Sequence, residues 1–180
     1  MARNPLVRIL PPLAALLALT VAPAAAQVPA NVQMYAVKFL CGSVDLHAAS
    51  PYRAVEPGNY GTIININNLS LANLSVNLFR SARVEGQQSV ALPNTAPLQA
   101  GEVQTVDCGA IVQALAQHGF PADGRFVEGY VMLSYYTNQI DPALLSLDVT
   151  AAYSYSGQKA DTGASLQVVR VEPRAMFQPE

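Results

Sequence analysis

The stretch Leu145-Ser146-Leu147-Asp148-Val149-Thr150-Ala151-Ala152-Tyr153-Ser154-Tyr155 decides the fold. Its odd positions, Leu145, Leu147, Val149, Ala151, Tyr153 and Tyr155, are apolar or aromatic, while Ser146, Asp148, Thr150, Ala152 and Ser154 between them are mostly polar. Successive side chains of an extended strand point to opposite faces. The alternation therefore predicts a strand with one face in a core and the other in water, the habit of an antiparallel sheet.

The same period recurs on both sides of this stretch. Leu74, Val76 and Leu78 alternate with Ser75, Asn77 and Phe79, and Leu166 and Val168 flank Gln167. Less regular runs at residues 33–41, 60–67, 103–106 and 126–136, with a short one at 89–92, bring the count to about seven or eight strands. Residues 51–59 and 82–101 carry Pro and Gly at turn spacing and read as loops, and residues 173–180 read as a loose tail. One segment breaks the rhythm. Asp107 is placed to cap a helix over residues 109–118, in which Ile111, Val112 and Leu115 form an apolar stripe before Gly119 ends it. The expectation is an all-β, immunoglobulin-like antiparallel sandwich with one short helix crossing between strands.

The chain has 180 residues, 51% of them hydrophobic and 12% charged, with a formal net charge of −2. That apolar content excludes a disordered chain, and the absence of a basic excess argues against a nucleic-acid partner. Residues 1–26 have the parts of a secretory signal: Arg3 and Arg8, an apolar run from Ile9 to Val21, and Ala24-Ala25-Ala26 before Gln27. The run is shorter than a bilayer span requires and Pro11 and Pro12 interrupt its start, so cleavage is favoured over a transmembrane anchor. Residues 27–180 are then a single domain, exported to the periplasm or the extracellular space.

Cys41 and Cys108 are the only cysteines. In an exported protein an even count reads as a disulfide, and neither residue has the C-x-x-C or C-x-x-H neighbour of a metal or redox site. Strand parity puts Cys41 on the face of Val37 and Phe39, and Cys108 on that of Val106, so the bridge runs through the core. It resembles in position the inter-sheet bridge of immunoglobulin domains, whose central Trp is missing here. Closing a loop of about 66 residues is worth roughly 4 kcal/mol in the chain-entropy description.

The segment Pro57-Gly58-Asn59-Tyr60-Gly61-Thr62-Ile63-Ile64-Asn65-Ile66-Asn67-Asn68, together with Lys38-Phe39-Leu40-Cys41-Gly42, Val106-Asp107-Cys108 and Val171-Glu172-Pro173-Arg174, resembles a family of small exported bacterial two-cysteine β-sandwich proteins of unknown function. The resemblance implies export and the two-cysteine sandwich. It implies no reaction.

Catalytic signatures are lacking. There is no G-x-S-x-G elbow, phosphate-binding Gly loop or dinucleotide fingerprint, and no cofactor is indicated. Only His47 and His118 could act as a base, and His118 stands where a helix C-cap belongs. Glu56, Asp45, Glu128 and Asp148 are scattered without a spacing that suggests a glycosidase pair. Met34, His47 and Met132 supply too few ligands for copper.

Two groups of residues are candidates for binding. Asn65 and Asn67, with Asn68, Asn73 and Asn77, are costly in a strand. Either Asn68 to Asn73 form a hairpin turn while Asn65 and Asn67 face water, the favoured reading, or they make a polar ladder for a glycan. Glu128, Tyr130, Met132, Ser134 and Tyr136 share one strand face, opposite Val127, Val131, Leu133 and Tyr135. With both faces substantially apolar, coverage on both sides is favoured over an exposed Tyr130, Met132 and Tyr136 patch. The functional expectation is a non-enzymatic exported structural or interaction module whose partner is an unknown protein or glycan; the alternative is a carbohydrate-binding module.

Residues 27–180 made in a reducing cytoplasm should melt below the exported form, because the unfolded chain is no longer restrained by a cross-link, and reductant added to the exported protein should close the gap. Thermal melts check this. Coincident midpoints without reductant would remove the disulfide argument.

Overall fold

The computed structural model describes residues 32–45, 55–70, 73–93, 96–121, 124–136, 144–157 and 164–176. The signal segment, His47 and residues 177–180 lie outside them. The described residues form nine strands and one helix: β1 (Val32–Val44), β2 (Gly58–Asn68), β3 (Phe79–Val84), β4 (Val90–Ala91), β5 (Val103–Asp107), α1 (Cys108–Gln117), β6 (Val127–Tyr136), β7 (Leu147–Gly157), β8 (Ala164–Val171) and β9 (Arg174–Met176). The expected all-β sandwich with one short helix is what the chain builds.

The pairing is antiparallel throughout and divides into two sheets that share β1. Sheet I runs β4-β3-β6-β1, with β9 on the far edge of β1; sheet II runs β2-β7-β8, with β5 on the other edge of β2. Residues 32–41 of β1 pair with β6, and residues 42–44 pair with the start of β2. Between these stretches the strand changes sheets at Gly42, whose φ of +98° is open to glycine at little steric cost. A Cβ there would fall on the Arg125 carbonyl. The parity of β1 changes at the same point. Tyr35, Val37, Phe39 and Cys41 are buried, then Val44, while Ser43 is exposed.

Beyond residue 60 the edge of β2 that β1 has left is taken by β5, which pairs with residues 63–67. At this handover Cys41 is bonded to Cys108, the first residue of α1, with their Cα atoms 5.5 Å apart. The bridge thus differs from the immunoglobulin arrangement in having one end on a helix. Side chains replace the missing ladder. The buried Thr62 hydroxyl accepts from the Leu40 N–H at 2.9 Å and donates to the Leu40 carbonyl at 3.0 Å. The Tyr153 hydroxyl donates to the Lys38 carbonyl at 2.9 Å, and that of Tyr35 to the Leu147 carbonyl at 3.1 Å. Burial first, then the neighbouring Tyr135, raises the Tyr35 phenol well above its usual range.

Helix α1 carries the chain from sheet II to sheet I. The Asp107 carboxylate accepts from the Ala110 N–H at 2.8 Å, the expected N-cap, and the His118 ring meets the Ala114 carbonyl at 2.9 Å at the other end. Ile111, Ala114 and Leu115 are buried. Burying a side chain of the size of Ile or Leu is worth on the order of 2 kcal/mol, and packing of this kind holds a helix too short to persist alone in water.

Three expectations about the chain's course need correction. The run 74–79 makes only a single bridge, Val76 to Leu98, before the strand that begins at its last residue, Phe79–Val84, whose second half runs into the region read as loop. The inward residues of β3 are Arg80, Ala82 and Val84, so a charged and a small side chain conceal its apolar face. The Arg80 guanidinium donates to the Pro93 carbonyl, its Nε has no partner among the described residues, and burial lowers its pKa. Second, β2 and β3 do not form a hairpin: both edges of β2 are already taken, and the connection crosses to the other sheet. Third, the start of the supposed loose tail pairs with β1 as β9.

Asn68 closes that crossing. It is fully buried, donates to the carbonyls of Leu74 at 2.8 Å and Leu98 at 2.9 Å, and accepts from the Ser70 N–H at 3.0 Å. Asn68→Ala strands these groups in a dry site and should cost on the order of 3 kcal/mol, lowering the thermal midpoint by roughly 10 °C. Asn65→Ala, on the outer face of the same strand, should cost less than about 0.5 kcal/mol. Equal losses in the two variants would overturn the assignment.

Candidate functional site

Strand β6 is central in sheet I, between β1 and β3, and among the described residues only its inner face is buried. Val127, Val131, Leu133 and Tyr135 point into the core, whereas Tyr130 and Tyr136 are 50% and 54% exposed. The expected coverage of both faces is therefore corrected. Apolar content identified a central strand, but centrality within a sheet does not place a second layer on its outside.

Register sets the neighbours of these rings. Tyr130 lies directly between Lys38 of β1 and Arg83 of β3, and Met132 between Ala36 and Ser81. Ser134 lies between Met34 and Phe79, and Tyr136 opposes Val32. The outer face thus carries Ala36, Met132 and Ser81 across its middle, with aromatic rings at both ends. At one end Phe79, itself 51% exposed, stands edge-on to Tyr136 with ring centroids 5.6 Å apart. At the other, Tyr130 borders a shallow hollow of about 440 Å³ that is also lined by Lys38, Arg83, Glu128 and Gly129. Lys38 and Glu128 form an ion pair across it at 3.4 Å.

Gly129 permits this surface. A side chain there would run into the Arg83 carbonyl and crowd the Phe39 ring below, so only glycine lets β3 approach β6 at this level. Half-exposed rings offer apolar contact, Arg83 and Lys38 offer donors, and Glu128 offers acceptors.

The other candidates lie elsewhere. Asn65 and Asn67 are half-exposed on the outer face of sheet II, away from Tyr130 and Tyr136, in agreement with the reading that they face water. Asn65 accepts from the Thr105 hydroxyl at 3.1 Å, and it also sits across from Thr150. Asn67 opposes Asp148, whose carboxylate holds Arg170 at 3.0 Å. Cys41 and Cys108 are consumed in the bridge, and His118 in the helix cap. Among the described residues no group of three or more His, Cys, Asp or Glu is arranged to hold a metal, and no helix is long and apolar enough to cross a membrane.

Sequence reading missed Phe79, Arg83 and Lys38 as neighbours of the tyrosines. Phe79, Ser81 and Arg83 share the outward parity of β3, a signal present in the sequence once that strand is placed. Comparisons with protein-family models, with curated proteins and with solved structures give no match.

Proposed function

We propose that the chain is a non-enzymatic exported interaction module whose partner-binding surface is the outer face of sheet I. The observation that carries this reading is the set of three half-exposed rings, Phe79, Tyr130 and Tyr136, on one uncovered face. Aromatic side chains of this kind are enriched where one protein meets another, because they supply contact area at low entropic cost. Export is supported by the signal-like segment 1–26 and by the Cys41–Cys108 bridge, a bond that persists outside the reducing cytoplasm. The partner is then encountered in the periplasm or the extracellular space.

A carbohydrate-binding module is the second reading. What favours it is the hollow at Tyr130, where a ring able to lie against a sugar adjoins the charged groups of Lys38, Arg83 and Glu128.

Photo-crosslinking residues placed at positions 130, 136, 65 and 67 of the exported protein separate the surfaces. The interaction module predicts protein adducts from 130 and 136 and none from 65 or 67; equal yields from both pairs would refute the surface assignment. A glycan array decides between the readings. Retention of a defined glycan that is lost in Tyr130→Ala would replace the protein partner with a sugar, and an empty array leaves the protein-binding reading standing.

A further inference from the structure

A second surface differs in kind from the aromatic face. Strand β8 is the last strand of sheet II, paired with β7 over eight consecutive positions without a bulge. Nothing among the described residues pairs with its far edge. From Ala164 to Arg170 every residue is exposed, with Leu166 at 71%, Val168 at 63% and Val169 at 38%. The strand overhangs the core, with apolar side chains open on both faces.

Such an edge carries unpaired N–H and carbonyl groups, and proteins that remain single usually blunt it with Pro, Lys, a bulge or a short strand. Strand β8 has no Pro, Lys or bulge and is eight residues long. Its one charge, Arg170, is held over β7 by Asp148 at 3.0 Å.

We propose that the open edge of β8 binds the same edge of a second copy of this chain, antiparallel about a two-fold axis through Gln167. The residue pattern chooses this occupant and this register, because the two most exposed apolar residues, Leu166 and Val168, flank Gln167 symmetrically and so meet each other across a two-fold axis there. With Gln167 opposite Gln167 of the other copy, Leu166 meets Val168 on the outer face and Val168 meets Leu166. On the outer face each Arg170 also opposes Ala164, and on the inner face Ser165 meets Val169 in both directions. No charge faces a like charge. Centring the axis on Val168 instead would set Leu166 against Arg170. The contact closes on itself, since each copy uses its edge once, and it joins the two copies of sheet II into one continuous sheet.

The test is the mass of the exported, oxidised protein by sedimentation equilibrium, together with two sets of variants. The proposal expects a dimer, and Leu166→Lys with Val168→Lys should give a monomer. Both side chains are largely in solvent, so the variant's far-ultraviolet circular dichroism should match that of the parent. Gln167→Cys should oxidise to a covalent dimer, and Arg170→Cys should not. A monomeric parent, a dimer that survives the paired lysines, or a dimer that Gln167→Cys fails to trap would each overturn the proposal.

Discussion

Strand β1 serves both sheets, and the Cys41–Cys108 bridge sits where it passes from one to the other. A strand that leaves its neighbour abandons backbone groups that must find other partners, since a buried N–H or carbonyl left unpaired costs about 1–3 kcal/mol. Here one threonine answers for both groups of Leu40, and a tyrosine answers for the carbonyl of Lys38. The Thr62 N–H is itself directed at the Cys108 sulfur at 3.1 Å. Glycine at 42 makes the turn and β5 fills the vacated edge of β2. The bridge ties this junction to the helix that carries the chain back to sheet I, so two of the crossings between the sheets are held at one place.

The consequence for the surface is direct. With the core gathered between the sheets, the outer faces are left largely to solvent. Sheet I places tyrosine, phenylalanine and a few charges on its outer face, and sheet II places asparagine, threonine and aspartate there beside the exposed Ile63 and Val103. The edge at β8 carries the exposed apolar side chains of Leu166, Val168 and Val169.

The strands with clean alternation were legible in the sequence. Residues 145–151 show their buried positions as every second residue, and the short helix announced itself through Asp107, its apolar stripe and Gly119. Parity alone placed Cys41 inward. Strand β3 escaped because Arg80 points into the protein and Ala82 adds little hydrophobic signal. The false hairpin at Asn68 arose because an Asx turn looks the same in sequence whether the flanking strands pair with each other or part to different sheets. Exposure of Tyr130 and Tyr136 was unreadable for a similar reason: an outward aromatic row has the composition of a core face, and only the layer count distinguishes them.

Amide hydrogen exchange of the oxidised and the reduced protein, read at Leu40, Thr62 and Val131, tests the central role of the junction most directly. With the bridge intact, all three amides should exchange only through the largest opening of the structure. Reduction should speed exchange at Leu40 and Thr62 at least about tenfold more than at Val131, because the seam between the sheets opens before the body of sheet I. Equal acceleration at all three positions, or none at Leu40 and Thr62, would contradict the account.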